Sequence, residues 1–228
     1  MDFPGFLAIT ASEMAACGVL PPRIAYMSCH FSPYGRGLSG VPRSLPPGSV
    51  LMLTDRTPIA GHDPGLVAQQ LEEAARQLAC RALVLDLQRE SEEAQAIVDA
   101  VTALPCPVVV TERYAGQRQC AVLVAAPRLW TPLWEALSPW KGRTIWLETV
   151  CDSALVTVTD QGSRYKAFDG VPTDPQWDHA MQVLHEAQHT DTCALYGLWR
   201  TEAQLPAFME AARKLGVTEF LGLWQQLR

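Results

Sequence analysis

This sequence lacks most of the marks of nucleic-acid, membrane or disulfide chemistry. There is no basic cluster: Lys and Arg total 18 against 24 Asp and Glu, giving a net charge of −6. Binding a phosphate backbone needs such a cluster, so nucleic acid is not an expected partner. No uncharged apolar run approaches the length of a bilayer span, so no membrane association is expected. Asp2 stands near the start and no Lys or Arg precedes Arg23, so a signal-peptide n-region is missing and a cytoplasmic location is expected. The seven cysteines, at 17, 29, 80, 106, 120, 151 and 193, are odd in number and scattered, with no Cys-x-x-Cys pair. That spacing fits neither a disulfide framework nor a cysteine zinc site, and reduced, buried thiols are expected. The Gly-x-Gly-x-x-Gly of Gly35, Gly37 and Gly40 lies within a long Gly-, Pro- and Ser-rich loop and opens no helix, and no Gly-x-x-x-x-Gly-Lys occurs, so nucleotide-binding α/β folds have no support and no cofactor is expected.

What is present is an ordinary core-forming composition. The 228 residues are 48% hydrophobic and 18% charged, enough for one sizeable core and a single domain over 1–228. Residues 1–20 read as an N-terminal extension, with a short helix over Ser12 to Cys17. The central stretch is Ala82 to Arg89, Ala-Leu-Val-Leu-Asp-Leu-Gln-Arg. A run that is apolar at every position is what a strand buried on both faces looks like. The carboxylate of Asp86 at its end is costly to bury and needs a partner or a role.

Strand-like runs occur at Ile24–Phe31, Val50–Thr54, Ala82–Asp86, Pro107–Thr111, Ala121–Ala125, Thr144–Leu147, Cys193–Trp199 and Glu219–Trp224. Between several of them lie helices with caps. Asp63 precedes Pro64, Ser91 precedes Glu92 and Glu93, and Thr201 with Gln204 forms a capping box. Asp174-Pro175 reads as the start of a further helix to about His189, and 154–168 as an inserted β-hairpin. Eight apolar strands alternating with helices predict a parallel (β/α)8-like barrel, some of its helices short or missing. An open doubly wound sheet is the alternative.

Acids and arginines cluster at the strand ends: Asp55-Arg56, Asp86 with Gln88-Arg89, Glu112-Arg113, and Glu148. In a barrel these ends share one rim, the rim that carries active sites. Asp86, Glu112 and Glu148 are the candidate catalytic carboxylates. Asp55, Arg56, Gln88, Arg89, Tyr34, Trp199 and Trp224 are the candidate ligand-binding residues. Paired carboxylates beside aromatic side chains suit glycoside hydrolysis, which needs one acid for the leaving oxygen and one base or nucleophile opposite. Alternatively, the acids and arginines merely pair to close the rim of a non-catalytic structural or interaction protein.

The third strand resembles the catalytic strand of chitinase-like barrels, glycoside hydrolase family 18, which reads Asp-x-x-Asp-x-Asp-x-Glu. The family's last Asp falls on Asp86, its middle Asp on Val84 and its catalytic Glu on Gln88. The strand is third in the count here and fourth in that family. Gly222-Leu223-Trp224 is similar to the strand-eight segment where the family places a Trp under the sugar, and His30 to Gly35, with Tyr34, to its first-strand aromatic region. The resemblance implies a glycoside-hydrolase-like barrel with a small carbohydrate or polyol as ligand. An amide at position 88 cannot donate a proton as a carboxylic acid does, so it implies a binding protein or a degenerate enzyme. A competing signal is His185-Glu186-Ala187-Gln188-His189, which matches His-Glu-x-x-His. On a helix, His185 and His189 would share one face and bind zinc, with Glu186 activating water.

Overall fold

The computed structural model describes residues 3–227; the first two residues of the expected extension lie outside them. Eight parallel strands close into a barrel. They are β1 (Phe6–Ile9), β2 (Ile24–Phe31), β3 (Val50–Thr54), β4 (Ala82–Asp86), β5 (Val108–Thr111), β6 (Ala121–Val124), β7 (Ile145–Thr149) and β8 (Val217–Leu223). Closure rests on β1, which pairs with β8 through Phe6↔Leu221 and with β2 through Leu7↔Ile24. The fold is therefore α/β with a closed parallel barrel.

One of the eight predicted strands leaves the barrel and an unpredicted one takes its place. Phe6–Ile9, inside the expected extension, is a barrel strand buried at every residue. Cys193–Trp199 is not a barrel strand: Ala194–Arg200 is the central member of an antiparallel sheet. The two errors cancel in the count. With β1 restored, Ala82–Asp86 becomes the fourth strand rather than the third.

The helices follow their caps. Asp63 accepts a hydrogen bond from the Leu66 N–H at the start of Pro64–Gln77, and Ser91 accepts one from the Ala94 N–H at the start of Glu92–Thr102. Both bury an apolar stripe, Val67, Leu71 and Ala74 on the first and Ala94, Ile97, Val98 and Val101 on the second. A ten-residue helix, Leu205–Lys214, precedes β8, while the helices after β1 and β5 have only six and four residues. The thiols are all free, but burial is not general. Only Cys29 is buried, its thiol pushed up to about 12 by desolvation, and the other six are partly exposed.

The chain divides into two compact units, the first comprising 1–125, 143–148 and 218–228, the second 126–142 and 149–217. In the first, ion pairs bridge strand starts at the N-terminal mouth of the barrel. Glu219 bonds Arg23 and Arg81, both at 2.7 Å, and the Arg23 guanidinium lies 4.2 Å from the centroid of the Phe6 ring. The other face of Phe6's surroundings is Trp146, stacked at 5.3 Å with rings 5° from parallel.

The second unit holds the five-stranded antiparallel sheet. The predicted hairpin is there, Asp152–Thr159 paired with Gly162–Ala167. The predicted helix to His189 is not. Gln176–Asp178 and Val183–His189 form a second hairpin, with Trp177↔Leu184 in register. Turn chemistry overrides the helical spacing here. The Asp178 carboxylate accepts from the N–H groups of Ala180 and Met181, and Gln182 turns the chain at φ 57°. Arg200, fully buried, anchors this unit by donating to the carbonyls of Gln182, Pro127 and Met181 and by packing on Phe208.

A barrel that closes through β1 makes Phe6 a core residue. Phe6→Ala is expected to cost about 3–5 kcal/mol in urea unfolding. A substitution in a mere extension would stay within about 0.5 kcal/mol.

Candidate functional site

Strand alternation decides which rim residues face the barrel interior. The interior is lined by Phe6 and Ala8 of β1, Val50 and Met52 of β3, Ala82 and Val84 of β4, Val109 of β5, Leu123 of β6, Trp146 of β7 and Leu221 of β8. Two residues further on, the same alternation turns Thr54, Asp86, Thr111, Glu148 and Leu223 inward at the C-terminal end. In β2 the phase would put Cys29 inward. A bulge between Tyr26 and Cys29 shifts it, so that Cys29 pairs with Leu53 and His30 with Thr54. Thr54 in turn pairs with Asp86. His30, Thr54 and Asp86 thus form one inward row across three adjacent strands.

The other acids serve the backbone. Asp55, 5% exposed, accepts hydrogen bonds from the N–H groups of Gln88 (3.0 Å) and Arg89 (2.7 Å) and so fixes the segment after β4. Glu112 begins the short helix after β5, and its Oε2 accepts from the Ala125 N–H at 3.1 Å. The Tyr114 hydroxyl donates to the Arg89 carbonyl. These contacts hold the rim loops in place and explain why acids recur at strand ends. Of the three candidate catalytic carboxylates, Asp86 and Glu148 belong to the inner layer and Glu112 to the bracing set.

The predicted binding residues divide similarly. Gln88 is exposed, and its Nε2 donates to Asp86 Oδ1. Arg56 and Arg89 are exposed at the ends of β3 and β4, and Tyr34 is 92% exposed in the loop after β2. Trp199 lies in the antiparallel sheet of the second unit, with its indole N–H donating to the Gly170 carbonyl. Trp224 lines a groove of about 470 Å³ with Leu7, Pro21 and Leu227. Leu7 lies between the inward Phe6 and Ala8, so this groove is on the outside of the barrel. The residue that β8 presents at the rim is Leu223, 37% exposed. Sequence reasoning also missed His30, because the bulge that turns it inward leaves no trace in the spacing.

The zinc alternative does not survive. His185 and His189 lie on one strand, four residues apart, hence roughly 13 Å apart along it. Zinc–nitrogen bonds of about 2 Å cannot be made from both. Glu186 is engaged with the N–H groups of Thr173 and Asp174 and with the Thr173 hydroxyl. Among the described residues, no group of three or more His, Cys, Asp or Glu is placed to hold a metal ion.

Asp86 sits in a perturbing environment. Burial raises its pKa above the ordinary 3.8, the Gln88 amide lowers it by bonding the charged form, and the Asp55 charge raises it again. A partly buried carboxyl held toward its neutral form, with an amide fixed on one oxygen, can both donate to and accept from a polar ligand.

No protein-family model matches the chain, and no curated protein is similar to it in sequence. Solved structures are. The spore cortex-lytic enzyme SleL of Bacillus cereus superposes with a TM-score of 0.58 at 10% identity, over 95% of this chain and 69% of that one. A chitinase from Chromobacterium violaceum gives 0.56 at 9% identity, over 98% and 95%. The sporulation-specific glycosylase ydhD of Bacillus subtilis gives 0.52 at 8%, over 87% and 90%. At these identities the likeness establishes a shared fold alone, the closed parallel α/β barrel.

The raised pKa of Asp86 has a definite sign for stability. The folded state holds this proton more tightly than the unfolded chain, so ionisation as pH rises above the ordinary carboxylate range weakens the fold. Asp86→Asn is therefore expected to melt at a higher temperature than wild type at pH 7, with the two converging near pH 3. An equal or lower melting temperature at pH 7 would show that the charge is not penalised.

Proposed function

We propose that the barrel rim binds a carbohydrate without hydrolysing it. The observation that carries this reading is the Gln88 amide bonded to Asp86 at the inner end of β4. Glycoside hydrolysis needs a carboxylic acid to protonate the leaving oxygen, and an amide has no such proton to give. The rest of the inner layer still suits a polyhydroxylated ligand. Asp86 and Glu148 offer carboxyl groups, while Thr54 and Thr111 offer hydroxyls. Leu223 supplies an exposed apolar surface for a sugar ring. Paired acids and arginines alone would suffice for a rim with only a structural role; Asp86 and Glu148 instead turn inward.

The ligand class is suggested by the fold neighbours, which include by name a chitinase, a spore cortex-lytic enzyme and a sporulation-specific glycosylase. Chitin-type oligosaccharides are the first choice. Their ring hydroxyls and acetamido N–H groups match a rim rich in acceptors. Asp86 takes the central place, with Gln88 orienting it and offering its amide to the same ligand. Arg56 and Arg89 reach the ligand from the outer edge of the rim.

Titration calorimetry with chitotriose tests this. Saturable binding is expected, at least tenfold weaker in Asp86→Ala, with no sugar released by the wild type. Gln88→Glu, which restores a carboxyl two residues after Asp86, is expected to gain measurable release of product from the same oligosaccharide. Absence of saturable binding to wild type would refute the sugar reading, and turnover by wild type would refute its non-hydrolytic part.

A further inference from the structure

We infer that His30 is a ligand-contacting residue of the rim, presenting Nε2 as a hydrogen-bond acceptor toward the barrel interior. The inference rests on the sugar-binding reading and adds to it a residue and a specificity. Three observations carry it. The first is direction. The bulge in β2 brings His30 into register with Thr54 and, through Thr54, with Asp86, so its side chain faces the interior with theirs. Two strand spacings separate the backbones of His30 and Asp86 by roughly 10 Å, a span that one pyranose ring and its substituents can bridge.

The second observation is the state of the ring. His30 Nδ1 lies 2.8 Å from the Ser28 carbonyl oxygen. A carbonyl only accepts, so Nδ1 carries the proton. In the neutral ring the bond at Nδ1 sets the tautomer that keeps the lone pair on Nε2.

The third is how firmly the ring is held. Ser39 pairs with His30 across a short antiparallel bridge, and the chain then turns at Gly40 with φ +72°. A Cβ on Gly40 would stand 2.1 Å from the Ser28 oxygen and 3.1 Å from His30 Nδ1. Only glycine lets the loop close over that hydrogen bond. The imidazole is thus fixed from the backbone side and half-buried, which leaves the Nε2 edge for a ligand. A group held this way loses little entropy on binding.

The chemistry selects a partner. Asp86 and Glu148 act mainly as acceptors when ionised, and a neutral His30 adds a third acceptor. The row then favours a ligand face rich in donors, such as vicinal hydroxyls or an acetamido N–H, over a carboxylated or sulfated sugar. His30 is a contact and specificity residue, with no proton transfer assigned to it.

Calorimetry with chitotriose on wild type, His30→Leu and His30→Gln tests the inference, with melting temperatures confirming that the variants fold. His30→Leu is expected to bind at least tenfold more weakly. His30→Gln, whose amide oxygen can accept in place of Nε2, is expected to retain affinity within about threefold of wild type. Nitrogen-15 spectra of the His30 ring should show a protonated Nδ1 and a bare Nε2 that shifts when chitotriose is added. Undiminished affinity in a folded His30→Leu, or an Nε2 unmoved by bound sugar, would overturn the role of His30 while leaving the sugar reading intact. Failure of the wild type to bind would overturn the sugar reading and this contact together.

Discussion

Pairing of β1 with both β2 and β8 is the constraint on which the rest depends. An open sheet has edges and can slip; a closed barrel cannot shift one strand without shifting all of them. Once Phe6 is opposite Leu221 and Leu7 opposite Ile24, every strand's inward set is determined. The interior then fills with Phe6 stacked on Trp146 and with small residues such as Ala8, Ala25 and Ala82 around them. The rim inherits its chemistry from this packing. Asp86 faces inward because Ala82 and Val84 do, and the cost of placing a carboxylate there appears in its raised pKa.

Much of this was legible in the sequence, and the failures have physical reasons. Val50–Thr54 and Ala82–Asp86 announce themselves because strands covered on both faces are apolar throughout. The helices after Asp63 and Ser91 announce themselves by caps. Phe6–Ile9 did not, since four apolar residues near a chain start carry no periodicity and only the partners on both sides make them a strand. Cys193–Trp199 was recognised as a strand but given the wrong sheet; an apolar run does not say which neighbour it pairs with. The stretch ending at His189 has helical spacing, and a turn built by Asp178 and Gln182 converts it to a hairpin.

The candidate site was legible in outline only. Acids at strand ends pointed correctly to the rim, but spacing could not separate those that face the interior from those that hold loops. Asp55 and Glu112 have the same local signature as Asp86, yet they accept hydrogen bonds from backbone N–H groups of neighbouring loops. Trp224 was displaced from the rim by a single position, Leu223 holding the inward one. The strand ending at Asp86 is the fourth of the barrel once β1 is counted, not the third that the sequence count gives.

The same closure has a consequence for biosynthesis. β1, Phe6–Ile9, is separated by more than two hundred residues from its partner β8, Val217–Leu223. A ribosome therefore releases the first strand long before the second exists, and more than two hundred residues must be synthesised before the cylinder can be sealed. Until then the Phe6 strand has only β2 beside it and an unpaired edge on the other side, a state open to pairing with other chains. Fusing the two ends and reopening the chain at an exposed loop, as in a circular permutant, would make β8 and β1 successive in synthesis and shorten the life of that edge.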